Sequence, residues 1–224
     1  MIPSNNKVAL LGSGGLDTMC SMILLKEAGY DIQPIYFDYD QKTASKEIPA
    51  VRRYAKEIIG KDVIVFKMQD YQTILGNIWA LTGNVSETIE DKESIFIPGR
   101  NIIFLLFAAI DGYFKDTYKM AISLHKNDTI SGDCKPPFVE SFARTLTLGM
   151  STPKRPVEYE ILMPLKDLYK YQAIKAASMA GYDLSISWSC DDSKEHHCGI
   201  CRQCIERKNM FELAGVQDNT IYLQ

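Results

Sequence analysis

The chain has 224 residues, 46% of them apolar and 24% charged, with a net charge of −3. That balance excludes fibrous and disordered classes, and a chain of this length buries a large core without staples. The acidic surplus argues against a general grip on nucleic acid, which wants a basic surface, so no direct nucleic-acid partner is expected. The longest apolar run, Ile102 to Ile110, is too short to cross a membrane, and no membrane association is expected. Met1 to Lys7 is polar, without an apolar signal region, which predicts a cytoplasmic protein.

The first two-thirds of the chain alternate strand and helix patterns. Lys7 to Leu11 is a short apolar run ending at glycine, the pattern of a buried strand. Leu16 to Ala28 has helical spacing and stops at Gly29. Ile32 to Phe37 predicts a second strand, Ala44 to Ile59 a helix closed by Gly60, and Asp62 to Phe66 a third strand. Asn101 to Phe114 is a strongly apolar helix, Tyr118 to Leu124 a fourth strand, and Phe138 to Leu148 and Leu168 to Ala180 are further helices. Between them, residues 70 to 98 read as a short helix and then a long loop, mobile over a site. Such alternation predicts an α/β fold, a doubly wound parallel sheet with helices on both faces. In these sheets ligands sit outside the carboxyl ends of the strands, so the loops after the strands are the ones to inspect. The division expected is an α/β domain over 1–188 and a small metal-binding subdomain over 189–224.

Immediately after the first strand comes Gly12-Ser13-Gly14-Gly15-Leu16-Asp17-Thr18. Glycines let several backbone N–H groups converge on one spot, and the next helix adds its positive end. Ser13 and Thr18 supply hydroxyls. Asp17 would repel a bare phosphate, so its natural role is to hold Mg²⁺ that bridges phosphates. The bland alternative is a strand-to-helix turn with Ser13 or Asp17 as an N-cap. The loop is neither GxxxxGK[ST] nor GxGxxG. It resembles the SGGxD[ST] loop of the N-type ATP pyrophosphatases, with Thr18 where serine is commoner. That resemblance implies a Rossmann-like ATP pyrophosphatase fold and ATP binding over Gly12, Ser13, Gly14, Gly15, Leu16, Asp17, Thr18, Met19 and Cys20. By itself, Cys20 reads as a small packed residue in the helix.

Four of the six cysteines crowd together as Cys190, Cys198, Cys201 and Cys204. In a reducing compartment such a cluster reads as metal binding before disulfides. The C-x₂-C-x₂-C spacing lets three sulfurs converge from a tight turn, permitted by Gly199, onto a helix start, and Cys190 supplies the fourth. Four thiolates suit one structural Zn²⁺ per chain, with an iron–sulfur cluster as the rival. His196 and His197 read as loop residues or as partners behind the ligands.

The two motifs at opposite ends of one chain are similar to those of the 7-cyano-7-deazaguanine (preQ0) synthase family of the queuosine pathway. Phe37-Asp-Tyr-Asp-Gln41 resembles that family's FDYGQ, Ile97-Pro-Gly-Arg-Asn101 its VPGRN, and Asp133-Cys134-Lys135-Pro136 with Phe138 its DCRPxF. The tail from Cys198 to Arg207, with Ala214-Gly215, resembles its zinc end.

The resemblance implies a C–N bond-forming ligase that converts 7-carboxy-7-deazaguanine and ammonia to the nitrile. ATP with Mg²⁺ activates first the carboxylate and then the amide, and the product serves tRNA or DNA deazaguanine modification. It further implies catalytic roles for Asp17, Arg100, Asp133 and Lys135, substrate contacts from Gln41, Arg100, Asn101 and Asp133, and a homodimer. Asp133 and Lys135 would line the site as metal-holding and anion-binding groups, with a solvated loop as the bland alternative. Lys170 matches a family lysine, and its place on a surface helix does not separate it from an ordinary exposed charge. The chain departs from the family at Asp40, where the family has glycine, at Thr43, where it has histidine, and at Asp128 to Gly132, one residue shorter than a DYSGYP-like stretch. The alternatives are an enzyme of the same superfamily that stops at the amide or takes another acid, a tRNA thiolation enzyme, and a zinc-knuckle binding module without catalysis.

Overall fold

The computed structural model describes residues 6–68, 71, 97–128, 131–192 and 194–223. The first strand, β1 (Lys7–Gly12), is followed by α1 (Leu16–Glu27), β2 (Asp31–Asp38), α2 (Ala44–Ile59) and β3 (Ile64–Lys67). Then come α3 (Arg100–Phe114), β4 (Lys119–Ala121), α4 (Pro136–Met150), β5 (Glu160–Leu162), α5 (Lys170–Ser178) and α6 (Arg202–Ala214). The strands form a five-stranded sheet in the order β3-β2-β1-β4-β5. Every pairing is parallel, with Lys7 to Gly12 facing Asp31 to Tyr36. The α/β, doubly wound fold expected from the sequence is what the chain adopts.

The central strand shows why. Val8 and Leu10 point to one face, among α1, α2 and α5, and Ala9 and Leu11 to the other, among α3 and α4. A strand covered on both faces reads as a continuous apolar run. The C-terminal segment has no core of its own among the described residues. Phe211 and Ala214 of α6 pack in the same cluster as α1 and α2, and Arg207 is 1% exposed, bonded to Leu184 C=O and to the Ser187 and Ser189 hydroxyls.

Several boundaries differ from the sequence pattern. The fourth strand, read as 118–124, is confined to Lys119–Ala121, with one further bond from Ile122 N–H to Leu162 C=O. β5 has no counterpart in that reading, although Val157, Tyr159 and Ile161 are buried and alternate with exposed Glu158 and Glu160. The third strand is shifted to Ile64–Lys67, and α5 is shorter than its apolar spacing. The helix and loop expected over 70–98 lie, apart from Tyr71 and residues 97 and 98, outside the described residues. Among the described residues no helix is long and apolar enough to cross a membrane.

Candidate functional site

Strand order reverses beside β1, since β2 and β3 build to one side and β4 and β5 to the other. The crevice at the carboxyl ends of β1 and β4 is therefore where a ligand belongs. A cavity of about 480 Å³ opens there, and a smaller one of about 200 Å³ adjoins it, both lined by Asp17, Thr43, Glu47 and Gln203.

The loop after β1 forms one wall. Ser13 N–H donates to Thr18 Oγ1 at 3.0 Å, Gly15 N–H donates to Ser13 Oγ at 3.1 Å, and the Tyr54 hydroxyl of α2 donates to Ser13 C=O. Trp188 N–H donates to Gly14 C=O at 2.8 Å. Gly14 is pressed against α2, where a Cβ would lie 2.4 Å from Glu47 Cα. The chain thus needs glycine there for close approach. The first-turn amides of α1, at Leu16, Asp17 and Thr18, have no acceptor inside the helix and present the positive helix end to the cavity. Met19 and Cys20 behave differently. They are 0% and 1% exposed in the core, and Met19 N–H is spent on Gly15 C=O. Burial pushes the Cys20 thiol far up, so it stays protonated.

Asp17 Oδ2 lies 3.2 Å from Lys170 Nζ, and that ammonium also lies 3.4 Å from Glu206 of α6. Asp17 Oδ1 is buried with no hydrogen-bond partner. A buried, anionic, unpartnered oxygen beside open helix amides fits a divalent cation carried with a phosphate. Lys170 is not an ordinary exposed charge. Its side chain is 17% exposed, and although burial opposes the ammonium, Asp17 and Glu206 outweigh it and hold its pKa above the ordinary value.

The start of α3 forms the facing wall. Gly99 has φ of 70° as its N-cap and turns the chain so that Arg100 and Asn101 head the helix over the cavity. Burial opposes the Arg100 charge, but Tyr39, then Cys134 and Asp133, more than offset it, and the guanidinium is held firmly ionised. Phe37 and Phe104 stack with ring centroids 4.2 Å apart in the cavity wall.

The remaining expected residues are placed as follows. Asp133 accepts from Asn101 N–H at 3.3 Å and from the Ser131 hydroxyl, so its carboxylate caps α3. Gln41 is buried, with its amide spent on Tyr36 OH, Phe37 C=O and Tyr39 N–H. Lys135 is exposed and lines a separate chamber. Sequence reasoning passed over Glu47, which accepts from Tyr36 OH at 2.8 Å and Thr43 Oγ1 at 2.7 Å at the junction of the two cavities. Its place on the inner face of α2, three turns before Gly60, gave no signal of that role.

The sulfurs of Cys190, Cys198, Cys201 and Cys204 all lie within 4.8 Å of one another, and no pair is bonded. Two of the separations are 3.9 and 4.0 Å. A tetrahedral ion with bonds of about 2.3 Å places its sulfurs roughly 3.8 Å apart, so the set fits Zn²⁺. Backbone N–H groups of Asp192, Cys198, Cys201 and Cys204 donate to the sulfurs at 3.2 to 3.4 Å, as suits thiolates. His197 stands behind them, accepting Ser189 N–H at Nε2 at 3.1 Å and packed in a tilted contact against Trp188. Burial, with Arg207 nearby, lowers its pKa to about 4 and keeps the ring neutral.

The family described as "Queuosine biosynthesis protein QueC" matches residues 7–215. The 7-cyano-7-deazaguanine synthase of Sulfurimonas denitrificans is 30% identical over 98% of this chain and 98% of its own length. That of Acetivibrio thermocellus is 30% identical over 97% of this chain and 98% of its own. A solved 4-thiouridine synthetase–RNA complex with bound ATP aligns at a TM-score of 0.48 and 17% identity, over 93% of this chain and 50% of that one.

Proposed function

We infer the function from one premise: the chain belongs to the queuosine biosynthesis QueC family, whose curated members named above are synthases. It converts 7-carboxy-7-deazaguanine, ATP and ammonia into 7-cyano-7-deazaguanine, through an adenylated carboxylate and then an adenylated amide. The observation that carries this reading is one cavity with two charged walls. The amides of α1 with Asp17 stand on one side, and the ionised Arg100 stands on the other.

The phosphates of ATP lie at the α1 N-terminus, where Ser13, Thr18 and the first-turn amides donate. Asp17, with its unpartnered Oδ1, would hold Mg²⁺, and the ion would supply neutralisation of phosphate charge. Lys170 adds a second cation beside Asp17. Arg100, fixed at the head of α3, takes the carboxylate bidentately, with Asn101 beside it. The stacked Phe37 and Phe104 give the deazapurine an aromatic wall. A carboxylate is a poor electrophile, and adenylation turns one oxygen into a leaving group. The work of these residues is then positioning and charge neutralisation. The four cysteines would hold a structural Zn²⁺ that would brace residues 189–224, and Asp133, capping α3, would hold Arg100 and Asn101 in place. The apolar side of α3, where Phe107 and Phe114 are 45% and 76% exposed, supports the expected homodimer.

The test is incubation with ATP, Mg²⁺, ammonia and 7-carboxy-7-deazaguanine, followed by nucleotide analysis and mass spectrometry. AMP, pyrophosphate and the nitrile are expected. ADP and phosphate as primary products would overturn the pyrophosphatase chemistry. Amide that persists under excess ATP would overturn the nitrile, and an untouched acid would overturn the substrate.

A further inference from the structure

Beyond the adenylation machinery, the loop after β4 carries a histidine–aspartate pair that the sequence reading left without a role. A chamber of about 250 Å³ adjoins the main cavity, and the two share Leu124, Asp128 and Cys134 in their lining. Asp128 thus stands in the wall between them. Its Oδ2 accepts His125 N–H at 2.9 Å, and its Oδ1 faces His125 Nε2 at 3.5 Å. The imidazole is 11% exposed, and its Nδ1 is buried without a hydrogen-bond partner. The carboxylate is therefore pinned by the backbone and backed by a ring with no other polar contact among the described residues. Burial pushes the Asp128 carboxyl above the usual carboxylate range, with Asp17 adding to it and His125 and Lys170 opposing. The chamber behind it has apolar walls at Pro136, Pro137 and Met163 and lysines at 126, 135 and 166. Such a lining disfavours ammonium and admits neutral ammonia.

We propose that Asp128, positioned by His125, is the base that takes the proton from ammonia as it attacks the adenylated carboxyl. This rests on the function proposed above. The nitrogen lone pair forms the C–N bond, and the ammonia proton passes to an Asp128 oxygen. The C–O bond to AMP then breaks, with the electron pair leaving on the phosphate. Asp128 gives its proton to His125 Nε2, and His125 returns it to solvent, so each turnover releases amide, AMP and one proton. Asp128 touches the reacting atoms, and His125 acts through it.

Two rates on the full chain test this. ATP–pyrophosphate exchange with the acid and without ammonia reads adenylation, and amide formation with ammonia reads the second step. Asp128→Asn should leave exchange within about twofold of the parent and cut the ammonia step by about 10²-fold or more. His125→Asn keeps the backbone donor, so it should lower kcat for the ammonia step about tenfold with KM for ammonia unchanged, and it serves if the Asp128 variant does not fold. Equal losses in exchange and amide formation, or an ammonia step that does not change, would overturn the assignment. A parent protein without exchange would instead refute the proposed reaction, and the base with it.

Discussion

The loop at 12–18 and the cysteine knuckle at 190–204 are built on opposite plans. The loop is held by protein contacts, its own and those of neighbouring elements. Ser13 and Thr18 brace each other, Tyr54 and Trp188 clamp the backbone, and Gly14 seats directly on α2. The knuckle draws four sulfurs together without a disulfide, a crowding that bare thiolates resist and a cation relieves. The loop is therefore braced by protein contacts, whereas the four sulfurs are arranged as a metal ion would need them. The two meet through α6, where Cys204 sits within one turn of Glu206, and Glu206 holds the lysine that holds Asp17. The cysteine cluster and the loop are thus joined by one chain of charged side chains.

The largest effect is expected at the knuckle. Removing its metal, or making Cys201→Ser, should unfold the C-terminal segment and cost a sizeable share of the roughly 10 kcal/mol that structural zinc supplies. Elemental analysis of fresh protein should find one zinc per chain. Iron in its place, or a melting curve indifferent to chelator, would erase the contrast between the two regions. At the loop, Asp17→Asn should cut ATP–pyrophosphate exchange by about 10³-fold while the melting temperature holds, because it removes charge and not packing. A collapse of the fold would show that Lys170 and Glu206 need Asp17 for stability.

Gly14→Ala tests preformation directly. Its methyl would collide with the Glu47 backbone, so a loss of about 1–3 kcal/mol is expected from chemical denaturation, with weaker nucleotide binding. An unchanged midpoint would mean that α2 can retreat and the loop is not rigid. The smallest effect concerns Asp40, which holds φ of 61°, a conformation that glycine adopts without strain. Asp40→Gly should stay within about 0.5 kcal/mol of the parent, as relief of strain offsets added chain entropy, whereas Asp40→Ala should lose about 1 kcal/mol. Equal stability for both variants would place no demand on that turn.

Local pattern determined much of this protein. The apolar run of β1, the stop at Gly29, the helix over Ala44–Ile59 and the clustering of four cysteines all depend on neighbours in the chain, so periodicity and spacing suffice to read them. Only the tertiary structure decided the rest. Lys170 has the sequence surroundings of a surface residue and becomes a half-buried partner of Asp17 because α5 packs on α1. Asp133 looks like a metal ligand and caps α3, 32 positions earlier in the chain. β5 is three residues long, and its pairing depends on the edge that β4 presents. Charge partners are set by which elements pack together. That is a property of the folded sheet, and no window of sequence contains it.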